Sequence, residues 1–183
     1  DGEIAADRSQ YLSDWLDWPA DKGAPYYEKN GVPGYQPNSN GEVNSTDDEP
    51  GFANGDQVVW FACNDLNSGL TSGLYGSPPI GLELQVTLWG YARTDALGYV
   101  IFKRFKFIYK GTANTPNNST IDSMFVCQWS DPDLGDYADD FAGCDTNLSL
   151  GFVYNGKKDD TKFADFKLAP PASGYDFFAG PLV

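Results

Sequence analysis

Six aspartates fall within fifteen residues, at Asp131, Asp133, Asp136, Asp139, Asp140 and Asp145. Carboxylates at that density suit a hard divalent cation. Calcium takes six to eight oxygen ligands at about 2.3–2.6 Å, and a loop supplies them best when aspartates alternate with residues that let the backbone turn. Gly135 provides such a bend within Asp131-Pro132-Asp133-Leu134-Gly135-Asp136. The order is not that of an EF-hand, which needs glycine after the third acidic position and a glutamate at the twelfth. The competing reading is a solvated acidic loop with aspartates closing Asx turns. Tyr137, Phe141 and Cys144 stand among the acids, and strand-like runs flank them. A loop partly buried by its own aromatics would suffer carboxylate repulsion without a cation, so the six aspartates are the candidate calcium ligands.

Other acidic groups are weaker candidates. Asp14, Asp17 and Asp21 surround Trp15, Trp18 and Pro19 at a spacing that could gather on a helical turn, but surface charge accounts for them more simply. Asp47-Asp48-Glu49 lies at the end of a polar tip, Asn38 to Glu49, and Asp159-Asp160 beside Lys157-Lys158 reads as surface pairing.

Enzyme chemistry finds few parts. The chain has no histidine, which removes Ser-His-Asp and Cys-His catalysis and any imidazole-bound zinc. No glycine-rich phosphate loop carries the lysine it would need. A carboxylate pair across an aromatic cleft could hydrolyse a glycoside, yet most aspartates are grouped in loops where ion binding or solvation is simpler. No catalytic residue and no organic cofactor site is assigned. Three cysteines, Cys63, Cys127 and Cys144, permit one bridge at most; Cys63 and Cys127 sit in apolar runs and read as small buried hydrophobes.

Positioning the acidic run requires strands. With 183 residues, 41% of them hydrophobic and 15% aromatic, the chain can build a core, and 20 glycines with 12 prolines suit many turns between short strands. Gln57 to Cys63 reads as a strand buried on both faces, and Leu82 to Trp89 alternates as a strand with one core face. Thr94 to Gly98 then turns the chain into Val100 to Tyr109, where the odd phase of Phe102 predicts a bulge near Lys103-Arg104. Asn67 to Pro79 and Gly111 to Thr120 read as loops. Met124 to Trp129, apolar at both parities, predicts a central strand, and Asn147 to Tyr154 predicts another, ended by Asn155-Gly156. The stretch from Lys157 onward predicts short strands and loops. Residues 1–56 are aromatic-rich but aperiodic, a loop-rich arm pinned on the sheet. The expected fold class is all-β: a single domain over 1–183, built as a two-layer antiparallel sandwich of jelly-roll type.

A formal charge of −14, with 26 acids against 12 bases, disfavours nucleic acid and anionic membrane as partners. No apolar run approaches the length of a membrane span. The ends, Asp1-Gly2 and Gly180-Pro181-Leu182-Val183, suggest a processed or excised piece of something longer.

The segments Asp17 to Pro25, Gly76 to Glu83, Ser130 to Asp136 with Asp139-Asp140 and Gly143-Cys144-Asp145, and Gly174 to Phe178 resemble stretches in large, uncharacterised exported proteins of Bacteroidetes and related bacteria. The likeness spans nearly the whole chain. Those proteins resemble cargo of the type nine secretion system, and the resemblance implies an extracellular or cell-surface setting rather than a reaction. Where such proteins carry an Asp-x-Asn-Gly-Asn-Gly run, this chain has Glu28-Lys29-Asn30-Gly31-Val32-Pro33-Gly34, which departs from a second ion site.

The expected function is a non-catalytic, calcium-stabilised structural or adhesive surface module. Two rivals stand beside it. One is a self-assembling subunit of an extracellular filament or layer that meets further copies or other surface proteins through aromatic arms. The other is a carbohydrate-binding module offering Trp15, Trp18 or Trp89 to a polysaccharide.

Overall fold

The computed structural model describes residues 8–37, 46–53 and 55–180. Strands dominate them, arranged in three antiparallel sheets with few helices, so the chain is β-rich. Backbone contacts gather into two compact units, Asp1–Ser123 and Met124–Val183, where the sequence suggested one domain over 1–183.

The first unit opens with helix α1 (Arg8–Leu16) and a short pair of strands, β1 (Tyr26–Tyr27) with β2 (Glu49–Pro50). Its main sheet has the order β3-β4-β5, with β3 (Gln57–Asn64), β4 (Leu82–Gly90) and β5 (Phe102–Tyr109). Between β3 and β4 runs helix α2 (Ser68–Tyr75), where the sequence suggested a loop. Glycine and serine make that stretch a poor helix former, but its ends are built: Asn67 Oδ1 accepts from the Leu70 amide, and the Gly76 amide donates back to the Ser72 carbonyl.

The β4–β5 register is unbroken from Leu82↔Tyr109 to Trp89↔Phe102, so β5 carries no bulge. Phe102 is out of phase with Phe105 and Phe107 because it lies on the other face, stacked on Trp89 at 5.4 Å and 16°. Phe52 meets the same Trp89 edge-on at 4.7 Å, Arg104 lies 4.4 Å over the Phe52 ring, and Gln85 Nε2 donates to the Lys22 carbonyl. The N-terminal segment thus lies against that face. Its tip, residues 38–45, falls outside the described residues.

The opposite face of this sheet aligns Val59 and Phe61 of β3, Leu84, Val86 and Leu88 of β4, and Phe105 and Phe107 of β5. Val59, Phe61, Phe105 and Phe107 are exposed there. The expectation that the Gln57 to Cys63 run is buried on both faces therefore fails: β3 is an edge strand, and its Cys63 is exposed.

In the second unit the order is β6-β7-β8, with β6 (Asp140–Asp145), β7 (Leu150–Asn155) and β8 (Ala172–Asp176); helix α3 (Thr161–Ala164) joins the last two. Two sequence expectations are corrected here. Met124 to Trp129 is not a strand: it runs without ladder partners, Phe125 is 95% and Trp129 80% exposed, and Cys127 is exposed as well. High β-propensity without a pairing edge does not make a strand. Conversely, the second half of the acidic run is not a loop. Phe141 pairs with Tyr154 and Gly143 with Phe152, so Asp140 to Asp145 forms β6.

Candidate metal centre

Aspartate does two different jobs in this chain. Asp48 is fully buried, and its carboxylate is closed by main-chain donors: the amides of Lys29 at 2.7 Å, Asn30 at 3.4 Å and Gln36 at 2.9 Å. Burial pushes its carboxyl up, but the three amides and the Lys29 ammonium outweigh that and hold it below the usual carboxylate range. Asp65 gathers the amides of Ile80, Gly81 and Leu82 at 2.7–3.0 Å, fixing the chain as it enters β4. Asp160, only 1% exposed, accepts from the Asp136 and Phe163 amides, both at 2.8 Å, and these donors hold its carboxyl low against the cost of burial. Gly135 belongs to this arrangement. Its φ of +70° sets the turn, and a Cβ there would stand 2.4 Å from Asp160 Oδ1.

Asp48 and Asp160 are therefore neither tip nor surface residues. They act as loop staples, satisfying amides that no strand ladder reaches. Asp14, Asp17 and Asp21 are exposed and make local contacts with Gln10, Ser13 and Lys22, as expected of surface charge.

The six candidate ligands separate into distinct settings. Asp131 and Asp133 are exposed. Asp136 accepts from the Ala138 amide at the head of the Tyr137–Asp139 turn and from the Thr161 hydroxyl at 3.3 Å. Asp145 closes the β6–β7 turn by accepting from the Asn147 and Leu148 amides, and it stands about 17 Å along β6 from Asp140. Among the described residues, no group of three or more acidic or cysteine side chains is placed to hold a metal ion.

Asp139 and Asp140 remain, and Asn155 stands across the ladder from Asp140. The Gly156 amide donates to the Asp139 carbonyl at 2.8 Å. All three side chains thus belong to one end of the β6–β7 hairpin. Asp140 Oδ2 accepts from the Leu134 amide at 2.8 Å, but its Oδ1 is buried with no hydrogen-bond donor. The same is true of both Asp139 carboxylate oxygens and of Asn155 Oδ1. The Asn155 amide has its orientation fixed, because its Nδ2 donates to the Lys157 carbonyl at 2.8 Å. Of five buried side-chain oxygens without a hydrogen-bond partner among the described residues, four are at this corner; the fifth is Gln85 Oε1 in the other unit.

One cation is near. Lys157 Nζ lies 3.1 Å from Asp139 Oδ2, at ion-pair distance but without hydrogen-bond alignment. Buried oxygens without donors are costly, at about 1–3 kcal/mol for each group and more where charge is involved. Two carboxylates and an amide carbonyl are oxygen ligands of the hard type that calcium prefers. The sequence signal for Asn155 was its place at the end of a strand, which was read only as the start of a turn.

Comparison of the chain with protein-family models, with curated proteins and with solved structures finds no match.

Proposed function

We propose that the chain is a non-catalytic structural or adhesive module of the cell exterior, stabilised by calcium at the base of the β6–β7 hairpin. The observation that carries this reading is the set of four buried oxygens on Asp139, Asp140 and Asn155 that meet no hydrogen-bond donor. Asp131 and Asp133 are exposed and stand outside this reading, and Asp136 and Asp145 serve turns of their own. The extracellular or cell-surface setting rests on the resemblance of the Ser130 to Asp145 run to exported proteins, and there millimolar calcium would keep even a weak site filled. The jelly-roll-like sandwich stays part of the proposal on the ground that the apolar face of β3-β4-β5, exposed at Val59, Phe61, Phe105 and Phe107, is of the kind a second layer buries in such folds.

Calorimetric titration with calcium chloride tests the reading: about one ion binds the intact chain, and Asp139→Asn or Asp140→Asn abolishes the binding heat. Absence of binding at millimolar calcium defeats it.

Self-assembly is the second reading, favoured by the exposed, apolar Met124 to Trp129 segment, which has no ladder partner, and by β3, an edge strand without charge or proline. A monomeric sedimentation profile at high concentration removes it. For carbohydrate binding, Trp89 is held between Phe52 and Phe102, while Trp18 lines a cleft of 430 Å³ with Tyr26, Tyr35, Asp17 and Asp21. That cleft, rather than Trp89, is where a sugar would stack.

A further inference from the structure

We propose that Lys157 is a built-in counter-ion of the Asp139–Asp140–Asn155 corner and that calcium enters by exchanging with its ammonium. The inference rests on the calcium reading above and adds a means by which the chain sets its own affinity.

The two partners differ sharply in environment. The Asp139 side chain is 2% exposed, whereas that of Lys157 is 64% exposed. The ammonium reaches a buried carboxylate from solvent on a flexible four-carbon stem. It stands at 3.1 Å yet forms no aligned hydrogen bond, so it compensates charge without satisfying the oxygens. Its main chain is held independently: the Lys157 carbonyl accepts from Asn155 Nδ2 at 2.8 Å. The side chain can therefore swing into water while Asn155 keeps its Oδ1 where it is.

Charge balance favours exchange. The Lys157 ammonium stands at ion-pair distance from Asp139 alone, and the carboxylate of the next residue, Asp140, has one oxygen on the Leu134 amide and the other without a donor. A divalent cation carries twice the charge and takes six to eight oxygens at once, where an ammonium has three directional donors. Asn155 Oδ1, neutral and without a hydrogen-bond donor among the described residues, is a further oxygen the metal can take. No bond of the chain is made or broken; one cation leaves the oxygen set as another enters.

The experiment measures calcium dissociation constants by competition with a chromophoric chelator, using the intact chain and single variants at fixed ionic strength. Lys157→Met is expected to tighten binding about tenfold, and Lys157→Arg, which keeps the charge, to stay within about threefold of the parent. Lys158→Met is the control for overall charge, because it removes the same charge one residue away; it is expected to change affinity less than about threefold. Asp139→Asn, added to Lys157→Met, is expected to abolish binding. If the parent binds calcium but Lys157→Met binds no tighter, or Lys158→Met tightens it equally, the exchange is overturned and the calcium site stands. Binding by Lys157→Met that survives Asp139→Asn overturns the assignment of the corner. If neither the parent nor Lys157→Met binds, both the exchange and the calcium reading are overturned.

Discussion

Asp48 and Asp139 are both buried aspartates in a strongly acidic chain, yet their surroundings are opposite. Three main-chain amides drawn from residues 29 to 36 close around the Asp48 carboxylate, and two more such knots, at Asp65 and Asp160, fix loops in the same way. At the base of the β6–β7 hairpin, Asp139 and Asp140 share a corner with an asparagine oxygen, and acceptors outnumber donors. Burial alone does not tell these roles apart. What distinguishes them is what faces the oxygens: amide N–H groups make the Asp48 carboxylate part of the fold, while the buried oxygens of Asp139 meet no hydrogen-bond donor among the described residues. Sequence density of aspartate does not separate the two settings: it counts Asp145, whose carboxylate accepts from the Asn147 and Leu148 amides, together with Asp139 and Asp140.

Substitutions should separate the two kinds by sign as well as size. The largest effect is expected from Asp48→Ala, which leaves three amides without an acceptor and costs about 3–5 kcal/mol in urea unfolding, with or without calcium. Next comes Gly135→Ala, at about 2–3 kcal/mol, because it forces a Cβ into a left-handed turn against the Asp160 carboxylate. Asp139→Asn should do the reverse. In chelator it raises stability by up to about 1 kcal/mol, since it removes a buried charge whose ammonium partner is free to hydrate. In calcium it loses the ion's contribution instead. A loss in chelator comparable to that of Asp48→Ala would erase the distinction between the two regions.

Acid sharpens the same contrast. Asp48 and Asp160 are held below the ordinary carboxylate range in the folded chain, so their contribution is fully present above the unfolded value near pH 4 and is lost as the pH falls through the lower folded values. Unfolding midpoints measured in chelator from pH 6 to pH 2 should hold to about pH 4 and then fall, and Asp48→Asn should flatten that fall. An unchanged acid limb in Asp48→Asn would show that the amide knot contributes little.

Legibility in the sequence followed the range of the interactions. Leu82 to Trp89 was readable because alternation is local, and β4 forms there. The Gln57 to Cys63 strand was readable as a strand but not as an edge, since that depends on what pairs beside it. Met124 to Trp129 has the composition of a core strand and no ladder, while β6 was masked by its acids although Phe141 and Cys144 mark its pairing run. Helix α2 depends on two caps, at Asn67 and Gly76, whose residue types also suit a loop. The role of Asp48 could not be seen locally, because its donors lie 12 to 19 residues away. Asn155 was missed for the same reason: only the β6–β7 register sets it opposite Asp140.

The most direct test of a calcium-stabilised corner is the thermal midpoint of the intact chain, recorded in excess calcium and in excess chelator. At one hundred times the dissociation constant the ion adds about 2.7 kcal/mol to the transition that includes the β6-β7-β8 unit. For a unit of this size that is a rise of about 10–20 °C, absent in Asp140→Asn. Coincident melting curves in calcium and chelator would contradict the account.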